Sequence, residues 1–180
     1  FRGGHWMTAT GTAALALGAA WLQERLGGTD FASYARYWGG VAARAGFFAL
    51  LDIALHVRRS PRPGAARLAR NALLQFAPAV AAGAALAFAL GSTASGVYLP
   101  GLWSIVFALG LGAARPQLPR GVSGVVAFHL LAGLLLLVRA EPGFVPSPWA
   151  MGGVFALGQA LLALVLHADI LRHPEGGLDD

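Results

Sequence analysis

Neither cysteine nor lysine occurs in the 180 residues, and charged side chains of all kinds make up only 12%. Without cysteine there is no disulfide, no thiolate metal site and no cysteine nucleophile. A soluble domain of this length carries about 25% charged and about 45–50% apolar residues. Here the apolar share is 57% and the mean hydropathy is +0.63. That supply cannot cover a water-facing surface, so the composition excludes an ordinary soluble fold. Enzyme signatures are missing as well. There is no Gly-x-Ser-x-Gly elbow, no His-Glu-x-x-His pair and no Gly-x-x-x-x-Gly-Lys phosphate cradle. Ser104 and Ser123 belong to no nucleophile motif, and Ser104 falls near the outer end of its span. No enzymatic activity is expected.

What the chain has in abundance is apolar runs of membrane-crossing length. They cover Trp6 to Leu22, Trp38 to Val57, Ala72 to Leu90, Leu99 to Ala114, Val122 to Val138 and Trp149 to Leu166. A bilayer helix needs about 20 residues, so the length holds six crossings and little else. None of the runs shows the period-2 alternation of barrel strands, and a helix satisfies its own backbone polar groups in lipid. The expected fold is therefore an all-α integral membrane protein, with residues 1–180 forming one polytopic domain. The chain starts at Phe1 rather than Met, which reads as trimming or processing.

Thirteen arginines against eight acids give a net charge of +5, and the excess is confined to a few loops. Such clustering reads as membrane orientation, not as a nucleic-acid surface. With both termini on one side, that side holds nine arginines: Arg2, Arg58, Arg59, Arg62, Arg67, Arg70, Arg115, Arg120 and Arg172. The other side holds three, Arg25, Arg36 and Arg139. Both termini are expected in the cytoplasm. Trp6, Trp38, Trp103 and Trp149 fall near span ends, the depth at which amphipathic rings meet lipid headgroups. Arginine without lysine, amid much Ala and Gly, points to a GC-rich bacterial genome and hence to the bacterial inner membrane.

A faint repeat places Phe48-Ala49-Leu50-Leu51, Phe107-Ala108-Leu109-Gly110 and Phe155-Ala156-Leu157-Gly158 in the second, fourth and sixth spans. It marks three tandem helical hairpins or simply the high frequency of Phe, Ala, Leu and Gly.

Five polar side chains inside spans are candidates for function: Asp52, His56, Arg44, His129 and Gln159. Asp52 and His56 stand one turn apart on one helix face and can hydrogen-bond. An ionisable group at bilayer depth is a functional candidate by default, with Asp52 as proton carrier and His56 as its titrating neighbour. The structural alternative has Asp52 pairing with a nearby cation while His56 sits among headgroups beside Arg58 and Arg59. Arg44 lies about 80° round the helix from Asp52 at ~100° per residue. It lines the same inward face or snorkels to the outer surface.

His129, at midspan, suits a haem or chlorin ligand, a quinone hydrogen bond, or a neutral imidazole bonded across a helix interface. His56 and His167 lie too near the cytoplasmic ends to match its depth, so no second haem ligand is evident. Gln159 reads as interhelical glue. In the inner loop, Arg58, Arg59, Arg62, Arg67 and Arg70 suit anionic lipid headgroups or an acidic partner, or serve only as a topogenic signal. No metal site is evident.

The run Leu99-Pro100-Gly101-Leu102-Trp103-Ser104-Ile105-Val106-Phe107-Ala108-Leu109-Gly110, continuing to Arg115-Pro116, carries a resemblance together with Pro148-Trp149-Ala150-Met151-Gly152. It resembles a group of small, uncharacterised multi-pass bacterial membrane proteins. In these a Pro-Gly-Leu-Trp turn opens the fourth span, after a span rich in Pro, Ala and Gly such as that around Ala77-Pro78-Ala79-Val80. The resemblance implies a six-span fold and no catalytic residue. It also implies a stress or signalling context, through neighbouring winged-helix regulators.

The function expected is that of a non-enzymatic accessory or scaffold subunit, packing against partner membrane proteins or itself. The alternatives are a proton-coupled transporter using Asp52 and His56, and a haem- or quinone-binding subunit centred on His129.

Overall fold

The computed structural model describes residues 5–27, 30–59 and 64–172, and all regular structure among them is helical. Six α-helices follow in order: α1 (His5–Leu26), α2 (Phe31–Arg59), α3 (Ala65–Leu90), α4 (Leu99–Ala113), α5 (Val122–Val138) and α6 (Pro148–Arg172). Short 3-10 segments, Ala94–Tyr98 and Arg115–Gln117, lead into and out of α4. Among the described residues, four segments are long and apolar enough to cross a membrane: α2, α3, Ala94–Ala113 and α6. The shorter α5 has 17 residues, which at 1.5 Å each give about 26 Å.

Helices α2, α3 and α6 outrun the apolar runs that announce them. Helix α2 starts at Phe31 rather than Trp38, α3 at Ala65 rather than Ala72, and α6 continues to Arg172. Hydropathy tracks what lipid would tolerate, whereas a helix continues as long as its ends are capped or packed. Asp30 caps α2, accepting from the Ser33 hydroxyl at 2.7 Å and the Ser33 amide at 2.8 Å. Those bonds hold its carboxyl below the ordinary value of 3.8, so the cap is complete at neutral pH and lost as pH falls through that lowered value. The added first turns of α2 also bury Tyr34 and Ala35. The loop from Gly91 to Pro100 is not a free polar loop. Gly96 and Val97 are buried, and Gly96 lies against Phe31 at the start of α2.

Successive helices run antiparallel and touch in sequence, and α1 closes the ring against α6. The closest packing joins α1 with α6, α4 with α5, and α3 with α4. Of the three hairpins the repeat suggests, α3–α4 is among these closest pairs, whereas α1–α2 and α5–α6 pack more loosely. Small residues line the close contacts. Ala9, Ala13, Ala16 and Ala20 form the buried stripe of α1, facing Gly152, Ala156 and Ala163 of α6. At the crossing of α4 and α5, a Cβ on Gly101 would lie 2.8 Å from the Gly133 carbonyl oxygen, and the reverse holds at the same distance. Backbones can approach that closely only without side chains.

The end of the bundle bearing Arg25, Arg36 and Arg139 is pinned by indoles rather than merely fringed by them. Trp38 is buried and donates to Gln23 Oε1 at 2.7 Å. Trp149 donates to Glu24 Oε2 at 2.9 Å, and the Arg25 guanidinium stands 5.1 Å over the Trp21 ring. The polar run Gln23-Glu24-Arg25, which in sequence only ends a span, thus ties α1 to α2 and α6. Trp103 donates to the Gly83 carbonyl at 2.9 Å, tying α4 to α3. At the opposite end Trp6 meets His167, their ring centroids 5.1 Å apart.

Candidate functional site

His129 is fully buried at the centre of α5, where α4, α5 and α6 meet. Ser104, likewise fully buried, comes to it from α4. The hydroxyl donates to the His129 carbonyl at 2.9 Å and lies 3.0 Å from Nδ1. A hydroxyl has one proton, so one arrangement satisfies both contacts: Nδ1–H donates to Oγ while Oγ–H donates to the carbonyl. That places a proton on Nδ1, and with no acceptor near Nε2 for a second proton the fitting form is the Nδ1–H tautomer. Nε2 has no hydrogen-bond partner and lies against the α-carbon of Gly158 on α6. An unpaired acceptor is a smaller penalty than an unpaired N–H would be.

Three phenylalanines enclose the imidazole. The centroids of Phe107, Phe128 and Phe155 stand 4.8, 5.3 and 5.3 Å from that of His129. Phe107 and Phe155 come from the repeated Phe-Ala-Leu-Gly element, whereas Phe48, its third copy, is exposed. Gly158 closes that element in α6 and is the residue that admits the ring. The central metal of a haem or chlorin would need Nε2, since Nδ1 is engaged by Ser104, and the space in front of Nε2 is taken by α6 at Gly158. The site as built does not fit that group.

Sequence reasoning placed Ser104 near an outer end and missed its pairing with His129. A usable signal exists, because antiparallel neighbours meet at equal distances from their turn. Ser104 and His129, like Gly101 and Gly133, are nearly equidistant from Gln117.

The other candidates do not converge on this point. Gln159 is beside Gly158 but faces α1, where Thr12 Oγ1 donates to its Oε1 at 3.2 Å. Asp52 and His56 are half-buried on α2, along the stripe that includes Ala45, Ala49 and Ile53. Arg44 is exposed and bonds the Gly40 carbonyl at 3.0 Å, one turn back towards the start of α2. Arg58, Arg59, Arg67 and Arg70 are exposed at the end of α2 and the start of α3, and Arg62 lies outside the described residues. Among the described residues no cluster of three metal-ligating side chains occurs.

These features define the class: an all-helical protein with several membrane-span-capable helices and a buried polar pair at its centre. No known family, curated protein or solved structure matches the chain.

Proposed function

We propose that the chain is a multi-pass protein of the bacterial inner membrane, both termini cytoplasmic, that acts without catalysis as an accessory or scaffold subunit. One observation carries the proposal. Helix α2 has 29 residues, yet buries only Tyr34, Ala35 and Trp38, all near its start. Beyond them it presents Phe47, Phe48, Leu50, Leu51 and Leu55 outward, on the same helix as Asp52 and His56. A helix so lightly held by its own bundle, with large apolar side chains along its outer face, is suited to packing against a second membrane protein or a second copy. The arginines from Arg58 to Arg70 suit anionic headgroups beneath it. The resemblance to small multi-pass proteins with a Pro-Gly-Leu-Trp turn agrees with this reading.

The central pair supports a structural role. The Ser104 proton is directed to a carbonyl rather than to an imidazole base, so the hydroxyl is not primed as a nucleophile. With Nδ1 engaged and Nε2 against α6, we assign no haem or chlorin to His129.

A photo-crosslinking residue at Phe48 should yield a protein adduct of discrete mass in native membranes. The same residue at Leu164, exposed on α6, should yield only lipid. Lipid adducts alone at both positions would refute the scaffold reading.

The arginine distribution tests orientation. Reporter fusions at the C-terminus and within the segment from Gly91 to Pro100 should give opposite signals. Equal signals would overturn the six-span count.

Asp52 separates scaffold from proton carrier. Asp52→Asn keeps a hydrogen-bonding group, so it should preserve both the Phe48 adduct and thermal stability, to within about 1 kcal/mol. A carrier would instead show proton flux in liposomes that Asp52→Asn abolishes while the protein stays folded, and that result would replace this reading.

A further inference from the structure

A cavity of about 190 Å³ opens at the arginine-poor end, where α4 begins, α5 ends and the loop into α6 crosses. Its floor is apolar, formed by Val97, Pro100, Leu136 and Val145, and its lining includes two charges of opposite sign, Arg139 and Glu141. Both charged residues are exposed. Two residues apart in sequence, they could have neutralised each other, but among the described residues neither side chain makes an ion pair or hydrogen bond.

The frame holding them is ordered by its own backbone. The Arg139 amide donates to the Leu135 and Leu137 carbonyls and ends α5. The Phe144 amide then donates to the Glu141 carbonyl at 3.2 Å across Pro142 and Gly143, the latter at φ 93°. Proline followed by a left-handed glycine is the composition of a type II turn, which fixes where Glu141 starts. Trp149, beside the lining residue Ala150, is half out of the protein at the same end, as suits an indole placed among headgroups.

We infer that this cavity seats the headgroup of a zwitterionic aminophospholipid, its phosphate on Arg139 and its ammonium on Glu141. The inference rests on the membrane reading above. Charge complementarity selects the occupant. A purely anionic headgroup would meet the carboxylate of Glu141, and an apolar helix would leave both charges desolvated and unpaired. A phosphate with a nearby ammonium answers both, and the apolar floor lies towards the glycerol and acyl chains.

The test is native mass spectrometry of the full chain in detergent, titrated with ethanolamine, choline and glycerol phospholipids of identical acyl chains. The ethanolamine lipid should bind about tenfold more tightly than either, since choline lacks N–H donors and glycerol lacks the cation. Arg139→Ala should weaken all three. Glu141→Gln should remove the preference while leaving binding measurable, and tryptophan-fluorescence melting should show both variants folded. Equal binding of the three lipids by the unaltered chain, or a preference that survives Glu141→Gln, would overturn the proposal. Recovery of the chain in the soluble fraction without detergent would instead defeat the membrane reading itself.

Discussion

Gly152→Val is expected to separate α1 from α6 and to lower the melting temperature far more than a replacement at the adjacent Gly153. A Cβ on Gly152 would stand 2.5 Å from the Ala20 methyl, 2.7 Å from the Ala16 carbonyl oxygen and 2.7 Å from the Trp38 ring. The Ala16 oxygen is backbone, and α1 cannot retreat from it without loosening the whole stripe from Ala9 to Ala20. Trp38 is held by Gln23, so it cannot retreat cheaply either. Overpacking a filled interior costs about 1–3 kcal/mol, occasionally more. With backbone on one side and a pinned indole on the other, Gly152→Val should reach the upper end of that range. Gly153→Ala is the internal control, because its nearest neighbour would be Trp149 at 3.9 Å. The comparison is read from tryptophan-fluorescence melting in detergent. Equal tolerance at 152 and 153 would show that the α1–α6 contact is not close.

The second large effect is expected at Gly158. Any side chain there would overlap the His129 imidazole at Nε2, Cε1 and Cδ2. The ring is held on its other side by Ser104 and enclosed by Phe107, Phe128 and Phe155. Gly158→Leu should therefore prevent α5 and α6 from docking, and Gly158→Ala should cost about 1–3 kcal/mol. Removing the ring should relieve the clash, so His129→Ala combined with Gly158→Ala should be more stable than the sum of the two single changes implies. A double-mutant cycle measures that coupling directly. Ser104→Ala should cost about 1–3 kcal/mol, because it leaves the Nδ1–H without an acceptor inside the bundle. Gly124→Ala, with nothing within 4 Å, should be neutral. Additive effects of His129→Ala and Gly158→Ala would place the ring elsewhere.

The central site was half legible. His129 stood out because a polar side chain in the middle of an apolar run is conspicuous. Its partners did not, since serine, glycine and phenylalanine are common here and none signals a destination. One indole, Trp38, was misjudged for a related reason. Trp38 near a span end reads as a headgroup anchor, but whether it faces outward depends on a glutamine fifteen residues earlier in a different helix.

Hydropathy and length were sufficient to place six helices, because each helix satisfies its own backbone hydrogen bonds and needs only local sequence to do so. The boundaries of α5, Val122 to Val138, are those read from its apolar run. What local sequence could not supply was which helices touch. That α1 packs on α6 rather than chiefly on α2 follows from matching stripes of Ala and Gly more than a hundred residues apart. That Ser104 and Gly158 enclose one histidine follows from three helices meeting at one depth. Such contacts depend on close-packed shape rather than on composition, and shape exists only once the helices have been brought together.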